Sequence, residues 1–226
     1  MTSFEDCAVP RRFDLVVFDW DGTVVDSTAL IARCIQRAAA DLGLVVPSDR
    51  EASQVIGLGL RDALARAVPD LPPERIEEFS LRYRDHYLAR EPEIVLFAGM
   101  RELLVELIED GARLAVATGK SRAGLARALD ATGLRPLFEA TRCADQTHSK
   151  PHPAMLLELA DETAVAPQAM LMIGDTVHDL QMARHAGAAA LGVTYGAHPR
   201  AQLASEPALG LFDDVAALAA WLRTQR

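Results

Sequence analysis

The chain has 226 residues and half of them are hydrophobic, which suits one domain of ordinary size or a core with a modest insertion. Its formal net charge of −9 argues against a polyanionic partner, so we expect no nucleic acid to bind. No apolar stretch approaches the roughly 20 residues that cross a bilayer, and we expect no membrane partner. Three cysteines that are far apart and form no CxxC pair predict reduced thiols and a cytoplasmic location: Cys7, Cys34 and Cys143.

The first predicted element is a buried strand over residues 13–18. Two carboxylates, Asp19 and Asp21, follow it directly, and Gly22 then allows a sharp turn. Aspartate is rarely buried unless it is paired or bound to a metal. Two of them at the end of a buried strand therefore predict a functional site.

The segment from about residue 28 to residue 93 shows helical patterns only. An apolar stripe from Ile31 to Leu42 ends at Gly43, and further helical patterns cover residues 60–68 and 73–88. We predict a helical cap over residues 28–93. It is inserted into an α/β core formed by residues 1–27 and 94–226.

Strands and helices alternate after this insertion. Strands are predicted over residues 112–117, 170–173 and 189–194, and helices over residues 100–110, 122–132, 153–163 and 179–186. Such alternation predicts an α/β fold with a doubly wound parallel sheet, covered by helices on both faces.

Polar residues follow three of the predicted strands: Asp19, Thr118 and Asp175. In parallel sheets, ligands bind beyond the carboxyl ends of the strands, so we expect these side chains to lie at one edge. Carboxylates gathered there predict a magnesium site, which becomes a phosphoryl-transfer site when a phosphate binds.

Four motifs occur in the order of a known family: Asp19-Trp20-Asp21-Gly22-Thr23, Thr118-Gly119-Lys120-Ser121, Ser149-Lys150-Pro151-His152-Pro153 and Gly174-Asp175-Thr176-Val177-His178-Asp179. Over nearly its whole length the chain resembles the haloacid dehalogenase-like superfamily, and within it the phosphoglycolate phosphatase group. The resemblance implies a Rossmann-like core and a Mg²⁺-dependent phosphatase that acts through an aspartyl phosphate. Its expected substrate is a small phosphomonoester, phosphoglycolate-like or a related metabolite, and the sequence leaves open which one. Two alternatives stay open: a phosphosugar mutase that uses the same intermediate, and a non-catalytic regulatory protein on this fold.

The resemblance also implies roles for the acids. Asp19 is expected to be the nucleophile, since a carboxylate can attack phosphorus and divide one difficult step into two. Asp21 is expected to protonate the leaving oxygen and later to activate water. The metal is expected to bind the Asp19 carboxylate, the backbone carbonyl of Asp21, and Asp175.

Thr118, Gly119 and Lys150 are the expected substrate-binding residues. The lysine assignment gains weight because only two of the 23 basic residues are lysines, Lys120 and Lys150. An ammonium group is a compact point charge, whereas a guanidinium is a planar fork.

Other assignments are left open by the sequence. Asp179 either holds a metal-bound water, orients Lys150, or caps a helix, and Lys120 either contacts substrate or does not. Arg61 either pairs with an anionic group of the substrate or is solvated. The protein is expected to be a monomer or a homodimer.

Overall fold

The protein is described here by a computed structural model that covers residues 12–225, so Cys7 lies outside the described residues. Within these residues there are eight strands, in chain order β1 to β8: Leu15–Phe18, Val25–Asp26, Val95–Leu96, Arg113–Thr118, Ala140–Cys143, Met170–Gly174, Ala189–Val193 and Leu211–Phe212. Six of them form one parallel sheet in the order β5-β4-β1-β6-β7-β8. The predicted α/β fold with a parallel sheet is confirmed.

In the described part of the chain, ten α-helices surround and extend this sheet, in chain order α1 to α10: Thr28–Asp41, Asp49–Gln54, Leu60–Ala67, Ile76–Leu88, Met100–Glu109, Arg122–Thr132, Ala154–Thr163, Val177–Ala186, Arg200–Leu203 and Val215–Arg223. The predicted helices agree with α3 to α8 to within three residues at each end. Glycines at left-handed positions end several of them, including Gly133 after α6 and Gly187 after α8.

The sheet buries both of its faces, as the doubly wound arrangement requires. In β1, Val16 and Phe18 pack into one apolar cluster together with residues of α5, α6 and α10. Leu15 and Val17 point to the other face and pack with residues of α7 and α8. This alternation follows from the two-residue period of a strand, and it explains why β1 is apolar at every position.

Buried side chains between Leu30 and Tyr87 form a third apolar cluster, which is separate from the two clusters on the sheet. Helices α1, α3 and α4 and the loop over residues 55–58 supply most of its members. Strand β2 directly precedes this helical segment and strand β3 directly follows it, and the two strands pair antiparallel. These observations support our proposed cap over residues 28–93, whose division from the core stays a prediction.

Cys34 and Cys143 are buried free thiols. Over residues 12–225, none of the helices combines the length and the apolar character that crossing a membrane demands.

Candidate active site

The loop after β1 holds the first pair of acids. Asp19 is 1% exposed, and its Oδ1 accepts a hydrogen bond of 2.6 Å from the Trp20 backbone N–H. Gly22 turns the chain at φ +79°, a left-handed conformation that glycine adopts without strain. A Cβ atom at Gly22 would lie 2.2 Å from Asp175 Oδ2, so the glycine also lets the loop approach the acid after β6.

Asp175 is fully buried at the end of β6, next to β1 in the sheet. Thr23 Oγ1 donates to its Oδ1 at 2.9 Å, and the Ala197 backbone N–H donates to its Oδ2 at 2.7 Å. Burial, with Asp19 and Asp179 nearby, raises the pKa of Asp175 well above its ordinary value of 3.8. Thr23 was part of the motif quoted from the sequence, but its contact with this acid was not anticipated.

Lys150 is buried between two acids. Its Nζ lies 2.9 Å from Asp19 Oδ1 and 2.6 Å from Asp179 Oδ1. Burial alone would lower the pKa of Lys150, but the two carboxylates outweigh burial and hold this pKa above its usual range. For Asp19 the balance is reversed: burial raises its pKa from 3.8 to about 7 although Lys150 opposes the shift.

Asp179 combines two of the roles that the sequence left open. Its Oδ2 accepts hydrogen bonds from the Thr176 backbone N–H at 3.1 Å and from Thr176 Oγ1 at 2.6 Å, at the start of α8. Its Oδ1 contacts Lys150 at the same time. Asp179 therefore caps α8 and orients the lysine.

Carboxylate oxygens of Asp19, Asp175 and Asp179 lie within 4.8 Å of one another, and all three residues are buried. Asp19 Oδ2 is buried and makes no hydrogen bond with any residue of the described part of the chain. Lys150 offsets only part of this negative charge. Oxygen ligands, excess negative charge and an unsatisfied oxygen are the chemistry that a hard divalent cation such as Mg²⁺ requires.

Asp21 is not part of this cluster of acids, and its carboxylate contacts other side chains. Ser27 Oγ donates to its Oδ1 at 2.6 Å, and Lys120 Nζ lies 3.1 Å from its Oδ2. Lys120 Nζ also donates to the Tyr87 hydroxyl at 2.8 Å. Tyr87 belongs to α4, so a helix of the proposed cap reaches the second acid through Lys120. The sequence offered no signal for Tyr87.

Thr118 ends β4 and is 1% exposed. Its Oγ1 accepts from the Lys120 backbone N–H at 3.2 Å, whereas Ser121, with its side chain accepting from Gly124 N–H, caps α6. Thr118 therefore does not cap α6, and its hydroxyl can still donate to a ligand. Gly119 lies beneath the proposed cap, because a Cβ there would come within 2.5 Å of the Leu58 carbonyl oxygen.

A loop of the proposed cap covers the site. Gly57 has φ +89°, and a Cβ atom there would lie 3.2 Å from Thr176 Oγ1 and 3.8 Å from Asp19 Oδ2. The Gly59 backbone N–H donates to Ser149 Oγ at 2.7 Å. The glycines around Leu58 therefore let the backbone approach the acids closely.

Two histidines of the core contact the end of α2, just before this loop. Nε2 of His178 and Nε2 of His198 lie 3.3 and 3.2 Å from the Gln54 carbonyl oxygen, at the end of α2. Nδ1 of His198 accepts from the Val177 N–H, so its Nε2 carries the proton and donates to Gln54. Burial, with His198 adjacent, lowers the pKa of His178 to about 4, so the ring is neutral at pH 7.

A cavity of about 320 Å³ lies between the helical segment and the sheet edge, and Asp19, Asp21, Thr118, Gly119 and Lys120 line it. Arg61 is exposed and does not line this cavity, so our suggestion that it meets the substrate is not supported. Arg84, on α4, does line the cavity.

This geometry defines a class of protein: a parallel α/β enzyme with an acidic site at the carboxyl edge, covered by a helical segment. The sequence model of the haloacid dehalogenase-like hydrolase family matches residues 16–193. The chain therefore belongs to this family, as the order of motifs indicated, and it falls among the phosphatases of the family.

Curated relatives and solved structures agree with this assignment. The chain is 38% identical over 201 residues to the probable phosphatase IndB of Dickeya dadantii (strain 3937), a match that covers 85% of this chain and 86% of the relative. It is 31% identical over 210 residues to a phosphoglycolate phosphatase of Agrobacterium fabrum (strain C58), with 90% of each chain covered. The crystal structure of a predicted phosphoglycolate phosphatase from Haemophilus somnus 129pt has a TM-score of 0.82 at 28% identity, over 95% of this chain and 99% of that one.

Proposed function

We propose that the protein is a magnesium-dependent phosphatase that hydrolyses a small phosphomonoester through an aspartyl phosphate on Asp19. One observation carries the proposal. Asp19 lines the cavity, one of its oxygens is oriented by Lys150 and by Trp20 N–H, and the other makes no hydrogen bond among residues 12–225. A carboxylate with one oriented and one uncommitted oxygen suits nucleophilic attack.

Magnesium fits the acids of the site. Asp19, Asp175 and the backbone carbonyl of Asp21 would hold it, with Asp179 close enough to contribute. When bound, Mg²⁺ supplies charge neutralisation for the acids and for the phosphoryl oxygens. The raised pKa values of Asp19 and Asp175 support this assignment, because a bound divalent cation would favour the ionised form of both carboxyls.

In the first step an oxygen of Asp19 forms a bond to phosphorus while the bond from phosphorus to the alcohol oxygen breaks. Asp21 gives its proton to that alcohol oxygen, so the alcohol leaves neutral. Lys150 holds Asp19 in place, and its charge stabilises the negative charge on the phosphoryl group. Thr118 Oγ and nearby backbone N–H groups, including that of Gly119, would donate to the phosphoryl oxygens.

In the second step a water molecule attacks phosphorus and Asp21 takes its proton. The bond between phosphorus and the Asp19 oxygen then breaks, which releases inorganic phosphate and restores the carboxylate. Ser27 and Lys120 position Asp21 for both transfers, since they bind its two oxygens at 2.6 and 3.1 Å. Tyr87 positions Lys120, so closure of the cap and placement of the acid are linked.

The test measures free phosphate from phosphomonoesters, with phosphoglycolate as reference because several relatives are named for it. Wild-type protein with Mg²⁺ should release phosphate catalytically, and Asp19→Asn should lose about 10³-fold or more. Borohydride added during turnover reduces an aspartyl phosphate, so mass spectrometry should find homoserine at position 19 in the wild type only.

Each rival function has a distinct outcome in this test. A mutase would return the phosphoryl group to a sugar and release little free phosphate. A non-catalytic protein would neither release phosphate nor be labelled by borohydride. Phosphate release without labelling at Asp19 would contradict covalent catalysis.

A further inference from the structure

The cavity beside Asp19 is larger than a two-carbon acid requires. Its volume is about 320 Å³, and pockets that bury a drug-sized ligand begin at roughly 300 Å³. Asp19 and Thr118 stand at its core end, where the phosphoryl group would bind. The rest of the space extends beneath the helical segment and is available to the alcohol part of the substrate.

Aliphatic side chains form the largest part of this remaining wall. Ile31 and Ile35 of α1, Val55 and Leu58 of the covering loop, and Ala63 of α3 line it. All five are buried in the apolar cluster of the helical segment. Hydrocarbon walls offer no hydrogen bonds, so hydroxyl or carboxylate groups held against them lose their hydration without compensation.

Two aromatic rings add to this apolar surface. Tyr83 and Tyr87 line the cavity, and their rings stack with centroids 6.1 Å apart and an angle of 26°. Burial raises the pKa of both hydroxyls, so both side chains are neutral at physiological pH. Such rings favour contact with flat or apolar groups.

Few positive charges on the wall are available to an anionic alcohol. Among the described residues that line the cavity, Lys120 already contacts Asp21 and Tyr87, and Arg127 pairs with Glu91 at 3.4 Å. Arg84 alone of the lining cations has no such partner within residues 12–225, and its side chain is exposed to solvent. A carboxylate close to the phosphoryl group, as in phosphoglycolate, therefore finds only this solvent-exposed arginine as an uncommitted cation on the described wall, and an exposed ion pair contributes little.

We infer that the preferred substrate is a phosphomonoester of a ring-sized, mostly apolar alcohol rather than phosphoglycolate. This inference rests on the proposed phosphatase activity and adds the class of leaving group. The leaving alcohol would fill the space between α1, α3 and α4, and its burial would exclude water from the phosphoryl group.

Four phosphomonoesters separate size, polarity and charge in one assay of phosphate release with Mg²⁺. Benzyl phosphate is ring-sized and apolar, glucose 6-phosphate is ring-sized and polar, ethyl phosphate is small and apolar, and phosphoglycolate is small and anionic. We expect kcat/KM for benzyl phosphate to exceed that for each of the others by about tenfold or more.

Ala63→Leu tests whether this preference arises in the cavity, because the larger side chain would occupy space needed by the ring. It should lower kcat/KM for benzyl phosphate about tenfold and leave that for ethyl phosphate nearly unchanged. Ala67→Leu is the matched control, since Ala67 is one turn further along α3, equally buried at 6% exposed, and does not line the cavity. Leu60→Phe, at a partly exposed position on the same wall, repeats the test where added bulk is better tolerated.

The ratio of the two rates within one preparation does not depend on the folded fraction, so partial misfolding cannot imitate the effect. A ratio unchanged in both Ala63→Leu and Leu60→Phe would overturn the inference. So would equal or faster hydrolysis of phosphoglycolate, ethyl phosphate or glucose 6-phosphate by the wild type, although the phosphatase proposal would stand. No phosphate from any ester would overturn the phosphatase proposal itself.

Discussion

Replacing Asp19 by asparagine should remove activity and at the same time stabilise the metal-free protein. The carboxyl is buried, and burial raises its pKa from 3.8 to about 7. Each tenfold change in proton affinity is worth about 1.4 kcal/mol, so this shift corresponds to about 4 kcal/mol. The figure already includes the ion pair with Lys150, which opposes the rise in pKa. It is an upper limit for the gain, because the asparagine amide replaces one of the two acceptor oxygens by an NH₂ group.

The stabilisation should depend on pH in a defined direction. Between pH about 4 and about 7, the folded protein holds a proton on Asp19 that the unfolded chain has released. The stability of the wild type therefore falls as pH rises through this window, and the loss is complete above about pH 7. Asparagine carries no such proton, so the two proteins should differ little at pH 4 and most at pH 8.

Urea denaturation in EDTA across this pH range measures the difference in free energy of unfolding. Asp85→Asn is the matched control, since Asp85 is exposed on α4 and its replacement should change stability by less than about 0.5 kcal/mol. Added Mg²⁺ should stabilise the wild type more than Asp19→Asn, because binding to the folded state adds stability by mass action. An Asp19→Asn protein that is no more stable than the wild type at pH 8 would refute the reasoning.

Three further predictions concern the metal, the buried lysine and the cap. Calcium should inhibit turnover that magnesium supports, since its looser coordination allows bidentate binding of Asp19, and equal rates in the two ions would contradict this. Lys150→Met should lower the free energy of unfolding by about 3 kcal/mol because two buried carboxylates lose their cation, and denaturation near the wild-type midpoint would count against it. Arg84→Ala should lower the ratio of kcat/KM for esters with a second anionic group to kcat/KM for neutral esters about fivefold. Arg61→Ala should leave this ratio unchanged, because Arg61 does not line the cavity. Identical behaviour of the two variants would argue against a role for Arg84.

The candidate site residues at the strand ends could be located from the sequence because their placement depends on a local pattern. An apolar run that ends in a polar residue marks the carboxyl end of a strand, and Asp19, Thr118 and Asp175 follow such runs. The three strands prove to be neighbours, with β1 between β4 and β6. Parallel strands share one carboxyl edge, so the pattern alone predicts that these residues converge.

Short or edge elements were missed for a related reason. Strand β5 reads Ala-Thr-Arg-Cys, with two partly exposed residues at its centre, and β8 has two residues only. The pairing of β2 with β3 joins residues about 70 positions apart. Periodicity cannot identify such strands, because their pairing depends on partners that are distant in the chain.

The sequence by itself therefore determined the fold class, the family and the acids at the strand ends, all of which follow from local periodicity and motif order. Only the tertiary structure decided which side chains of the helical segment approach them. Arg61 and Arg84 both lie on amphipathic helices, yet Arg84 lines the cavity and Arg61 does not. Tyr87 meets Lys120 across 33 positions of sequence. The orientation of a helix towards a distant surface is set by its packing against other helices, and that information is not local.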